Sequence, residues 1–286
     1  MQRSRPVDRD PAYDEPYLWW GPGWRAGGPR SLAALVEANT LSLPAAGLLA
    51  AAVRQRRSLA VVAVPSGAGK TTLLNALLPW IPGDHRRFYL RGSYEPFAFL
   101  HDPAVDPQTS TLLCNEISPH LPAYLWGDGV ARLLAARQRG FRVLATAHAA
   151  DALGFVRLLT GPPLRIAGAA AAGFDLVVAL EFRGSGLAPR RVVAGIWALG
   201  SSRAGSIEVV RLGDADSTLA DLAAALPALL VGDGMDRLGT DVIAAIMAEI
   251  AADRRVAAAG ERRPGPEPHQ PVAPEPWRPR RDHPNG

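Results

Sequence analysis

LAVVAVPSGAGKTTLLNALLPW (residues 59–80) decides how the rest of the chain reads. Leu59 to Val64 is a short apolar run rich in valine, the pattern of a buried strand. Pro65, Ser66, Gly67, Ala68 and Gly69 follow, with almost no side chain to obstruct the backbone. Lys70, Thr71 and Thr72 come next, and Leu73, Leu74, Leu77 and Leu78 begin a helical spacing. Among 31 Lys plus Arg residues, Lys70 is the single lysine. A chain that carries its other positive charges on arginine keeps one compact ammonium at this point.

Strand, small-residue loop, Lys-Thr and helix together make the phosphate-cradling P-loop. Successive backbone N–H groups form an anion nest, and the helix N-terminus adds partial positive charge. Lys70 is expected to reach the β- and γ-phosphates of ATP as a point charge, which an arginine's planar fork suits less well. The Thr71 hydroxyl is expected to ligate Mg²⁺, and residues 65–72 to line the nucleotide. The pattern G-x-x-x-x-G-K-[ST] has one departure, Val64 where the first glycine belongs.

The bulk composition narrows the remaining classes. At 286 residues, 48% hydrophobic and 20% charged, the chain has ample apolar material for a core. One cysteine, Cys114, excludes an intrachain disulfide and a cysteine-rich metal site, and its apolar context "TLLCNEI" reads as core. No apolar run approaches the ~20 residues of a membrane span, and the N-terminus lacks a signal-peptide core, so a cytoplasmic protein is expected. The pI near 9.7 is unevenly founded. From Arg254 onward seven arginines and four acids contribute +3 of the formal +4, so direct nucleic-acid binding is not expected.

Three regions are expected: a Pro/Gly/aromatic-rich segment over 1–30 containing "YLWWGPGW", an ATPase domain over 31–257, and a disordered Pro/Arg-rich tail over 258–286. Within the middle region "SLAALVEANT" and "LPAAGLLAAAVRQRR" read as helices, the first capped by Ser31. "RRFYLRG" and "STLLCNEIS" read as the second and third strands, the latter buried on both faces. "GDGVARLLAARQRG" is a helix ending at a C′ glycine, Gly140, followed by the strand "FRVLATAHA" and the helix "DALGFVRLL". Such alternation specifies an α/β fold with a mostly parallel sheet. "FDLVVALEF" and "RRVVAGIWAL" then read as a β-hairpin, and two alanine-rich helices near 216–229 and 238–257 close the domain.

A P-loop ATPase needs an acid to orient Mg²⁺ or polarise the attacking water. The expected place is the end of a strand beside the P-loop strand, and Glu116 ends "TLLCNEIS". Glu116 is therefore the expected catalytic acid and second Mg²⁺ contact. His148 ends the next apolar strand, at the edge where α/β sheets bind ligands, and is expected to hydrogen-bond the γ-phosphate. Glu95, in "RGSYEPFAFL", is a third and weaker candidate.

Taken in order, these segments resemble the ATPases of type II and type IV secretion, type IV pilus and tight-adherence systems. Pro65, Gly67, Gly69, Lys70, Thr71, Thr72 and the following "LLNAL" match that family's P-loop. Glu116 stands where its Walker B strand ends in G-E, and Thr146, His148 and Ala149 fit its T-x-H-A histidine box. The resemblance covers roughly residues 31–212. It implies a RecA-like P-loop NTPase fold, ATP hydrolysis with Mg²⁺, a homo-oligomer (a hexamer in the family) and secretion or pilus machinery at the inner face of the membrane as partner. The departures are Val64, Asn115 before Glu116, Ser118 in place of an arginine, and an acidic box reduced to Glu95. The family's N-terminal domain, which contributes arginines to the nucleotide site, is expected to be all but absent. A nucleotide-binding regulatory or assembly protein with little turnover is the alternative those departures imply.

Overall fold

The computed structural model describes residues 30–184, 189–201, 206–226 and 238–258. The aromatic N-terminal stretch and the Pro/Arg-rich tail lie outside the described residues. Two helices come first, α1 (Leu32–Glu37) and α2 (Leu43–Arg54). Ser31 caps α1 as its sequence predicts, its Oγ accepting the Ala34 N–H at 3.1 Å. Then follow β1 (Leu59–Val62), α3 (Lys70–Leu77), β2 (Arg86–Tyr89), β3 (Ser110–Ile117), α4 (Asp128–Gln138), β4 (Arg142–Ala147), α5 (Ala152–Thr160) and α6 (Gly168–Ala171). The chain continues through β5 (Leu176–Arg183), β6 (Arg190–Ser201), β7 (Ile207–Gly213), α7 (Leu219–Ala225) and α8 (Thr240–Ala258).

The strands form one sheet in the order β2-β3-β4-β1-β5-β6-β7. The first five lie parallel, and β6 and β7 run antiparallel beyond β5. This mixed, mostly parallel α/β sheet with its P-loop strand at the centre is consistent with a P-loop NTPase fold. The hairpin reading of β5 and β6 holds, with Leu176 opposite Ala198 and Arg183 opposite Arg190. Strand β7 was not legible: "IEVVRLG" is a mostly half-exposed edge strand, and its short run carries little of the apolar signal that marks β1 or β3.

Alternate residues of β1 serve two cores, which is why its sequence is apolar without interruption. Leu59, Val61 and Ala63 pack on the side of α1, α2, α3, α7 and α8. Ala60 and Val62 pack on the opposite side with α4 and α5. At the far end of the strands from the P-loop, Asp175 ties the elements together. Its carboxylate accepts the Ser58 N–H at 2.6 Å and lies 3.7 Å from Arg57 and 3.5 Å from Arg137.

The topology corrects one expectation. β3 is not the neighbour of the P-loop strand; β4 lies between them, pairing with β1 on one side and β3 on the other. Glu116 therefore reaches the P-loop across an intervening strand.

Candidate functional site

The loop after β1 holds two glycines at positive φ, Gly67 at 72° and Gly69 at 100°. That left-handed backbone is open to glycine and strained for other residues. It turns the chain into α3, whose first residue is Lys70. Pro65, Ser66 and Gly67 are exposed, while Ala68 and Lys70 are buried beneath them. Val64, the departure from the glycine pattern, is 50% exposed, so its side chain lies over the surface and leaves the turn unobstructed.

Glu116 arrives at Lys70 through a β-bulge. Along β3, Leu112 and Cys114 face the α4/α5 core, and simple alternation would aim residue 116 the same way. The register instead runs from Cys114↔Ala145 to Ile117↔Ala147, one extra residue on β3. Ile117 consequently rejoins the face of Cys114, and Glu116 is turned to the α3 face. The Thr146 hydroxyl closes the bulge by donating to the Asn115 carbonyl. The Glu116 Oε2 then lies 3.6 Å from Lys70 Nζ, with the side chains 13% and 10% exposed. An ion pair this enclosed has little solvent screening.

His148 follows β4 on the same face and stands near Glu116. Burial first, then the charges of His120 and Lys70, hold its imidazole below the usual histidine range, against an opposing pull from Glu116. At neutral pH the ring is thus neutral, with one nitrogen to donate and one to accept. Tyr124 is pushed above the usual phenol range by burial and by the Glu116 carboxylate.

P-loop, Glu116, Tyr124 and the hairpin enclose one cavity of about 540 Å³. Ser66, Gly67, Ala68, Gly69, Lys70, Thr71 and Thr72 line it, while Pro65 and His148 lie outside its lining. Leu35 and Ala38 of the α1 region and Leu180 of β5 give it an apolar wall. Arg30, Arg190 and Arg191 line it as well, against a single carboxylate among the described lining residues, Glu116. The cavity is strongly cationic and suits a polyanion.

Two features of the site were not read from the sequence. Arg191, on the hairpin, donates from Nε to the Gly67 carbonyl at 2.7 Å and braces the P-loop from 124 residues away. His120 stands edge-on to His148, their ring centres 4.8 Å apart. Neither contact has a local sequence signature. Conversely, Glu95 does not join the group: its two oxygens accept the Arg91 and Phe97 N–H groups at 3.0 and 2.8 Å. Buried at 7% exposure, that carboxylate holds the turn after β2 and lies outside the cavity lining.

No protein-family model and no curated protein matches the chain. Solved structures similar to the chain include two ATPases. The VirB11 ATPase of the Brucella suis type IV secretion system is 22% identical with a TM-score of 0.38, over 58% of this chain and 54% of that one. The ATPase DotB of Yersinia pseudotuberculosis is 14% identical with a TM-score of 0.34, over 74% of this chain and 57% of that one. The chain spans little more than half the length of either structure. No helix among the described residues is long and apolar enough to cross a membrane.

Proposed function

We propose that the chain binds and hydrolyses Mg-ATP, as a motor-type ATPase of the secretion and pilus class. The observation that carries the reading is the convergence of Lys70 and Glu116 at 3.6 Å on the floor of a cationic cavity. The residues present fit the nucleotide. Left-handed Gly67 and Gly69 open the loop, the amino end of α3 faces the cavity, and Thr71 lines it. Backbone N–H groups of residues 66–71 and the Lys70 ammonium would hold the phosphates, with Arg191 keeping the loop in place. The apolar wall of Leu35, Ala38 and Leu180 would take the base. Thr71 and Glu116 would hold Mg²⁺, which neutralises charge developing on the phosphates.

In this reading Lys70 exchanges partners. Without nucleotide its ammonium faces Glu116; with phosphates in the loop it turns to them, and the carboxylate is released to accept a proton from water. His148, held neutral, would hydrogen-bond the γ-phosphate. The alternative, a nucleotide-binding regulatory or assembly protein, is favoured by one observation. Among the described lining residues the cavity has a single carboxylate, because Glu95 is consumed by the β2 loop.

Arg190 and Arg191 supply positive charge to the cavity within one chain, so ATP binding should be complete in the monomer. Turnover in a ring is completed by a neighbour's cation, as with an arginine finger in trans. ATP affinity is thus expected to stay constant across a hundredfold range of protein concentration, while phosphate release per subunit rises as light scattering reports association. A brisk rate that stays flat in a persistent monomer would contradict the shared site and the motor assignment with it.

A further inference from the structure

We propose that Glu116, His120 and His148 form a transition-metal site that takes Zn²⁺. One donor atom from each of the three lies within 4.8 Å of the others. The two imidazoles already stand nearly perpendicular, at 83°, with centres 4.8 Å apart. Two imidazoles bound through nitrogen to one tetrahedral ion, at about 2.0–2.1 Å each, place their ring centres roughly 5 Å apart. Small side-chain rotations therefore suffice to bring the donors onto one ion.

The three ligands come from backbone that is fixed. Glu116 follows the bulge locked by Thr146, and His148 follows β4. His120 sits in a loop that leaves and rejoins the end of β3. The Leu125 N–H donates to the Glu116 carbonyl at 2.8 Å, and the Ser118 N–H to the Leu125 carbonyl at 3.2 Å. Inside that loop the fully buried Ser118 accepts the His120 N–H on its Oγ at 3.2 Å. Gly92 (φ 60°) packs against the Ala123 carbonyl, where a Cβ would collide, so the loop is held from outside as well. His120 is exposed, which gives an ion a route of entry.

The donor chemistry selects the metal. Two imidazoles and one carboxylate are a three-ligand set with an open position, the arrangement that suits zinc. Magnesium demands near-octahedral oxygen ligation, which two imidazoles do not provide. The Lys70 ammonium, 3.6 Å from Glu116, opposes a second cation and should weaken its binding. An ion bound here would occupy the carboxylate that the ATPase reading assigns to water activation. Zinc inhibition therefore rests on that reading, whereas zinc binding does not.

The test uses the full chain without an affinity tag or nucleotide, titrated with Zn²⁺ by calorimetry and with Co²⁺ by visible absorption. One ion per chain is expected, with the intense absorption of tetrahedral Co²⁺. His120→Ala should weaken binding at least tenfold, and so should His148→Ala. Replacing His101, His269 and His283 together by alanine should leave it intact. Absence of saturable Zn²⁺ uptake, or a His120→Ala protein that binds as tightly as wild type, would overturn the site. Zinc bound through His120 in a protein that never hydrolyses ATP would uphold the metal site and count against the ATPase reading alone.

Discussion

Glu116→Gln is expected to retain ATP while turnover falls by ~10²-fold or more, the usual loss when a water-activating group is removed. The amide matches the carboxylate in size, so the bulge at Asn115–Glu116 and its Thr146 contact should persist. What disappears is the negative charge, and with it proton acceptance, the charged contact to Mg²⁺ and the ion pair to Lys70. A lysine freed from that pair can turn fully to the phosphates, which offsets the weaker contact to Mg²⁺, so ATP affinity should hold. Steady-state phosphate release and equilibrium nucleotide binding on the same preparations separate the two effects. Equal turnover in mutant and wild type would return Glu116 to the status of a strand-end residue.

Lys70→Ala should have the opposite profile and lose binding itself. Mg-ATP at about 100 times its dissociation constant stabilises a fold by roughly 2.7 kcal/mol. For a domain of this size that is a melting shift on the order of 5–10 °C. Lys70 contributes the one charge expected to contact two phosphates, and its removal should erase most of the shift. The melting temperature without nucleotide will also change, because Glu116 loses its partner at 13% exposure. The quantity to compare is therefore the ATP-induced shift within each protein. An undiminished shift in Lys70→Ala would contradict the P-loop assignment.

The contrast between these residues explains how much was legible in the sequence. Strand, loop and helix over 59–80 are local structure, written in consecutive residues, and they fold as read. Alternation of strands and helices likewise dictates a mostly parallel sheet, and the apolar runs of β1, β3 and β4 mark strands buried on both faces. The position of Glu116 is a different kind of fact. A bulge adds a residue without any compositional mark, so the sequence could place Glu116 at the end of β3 but not on its correct face. Strand order is equally silent in a chain whose buried strands look alike, and β4 takes the place beside β1 that the sequence reading gave to β3.

Glu95 shows why an acidic residue near a motif is weak evidence. Its carboxylate is satisfied by two backbone N–H groups of its own loop, a demand set by chain geometry and invisible to a search for charge. Arg191 and His120 illustrate the reverse. Each reaches its partner only after the hairpin or the 118–125 loop has folded, so neither could be named from spacing.

The Lys70–Glu116 cavity is expected to convert ATP as well as hold it. Single-turnover chemistry tests this most directly: protein in excess over γ-labelled Mg-ATP, quenched over time, with bound nucleotide and released phosphate counted together. Bound ATP is expected to be converted to ADP and phosphate in the wild type and to remain intact in Glu116→Gln. Wild-type protein that binds the ATP fully and returns it unhydrolysed, in dilute and in concentrated samples alike, would contradict the account and make nucleotide binding alone the function of the site.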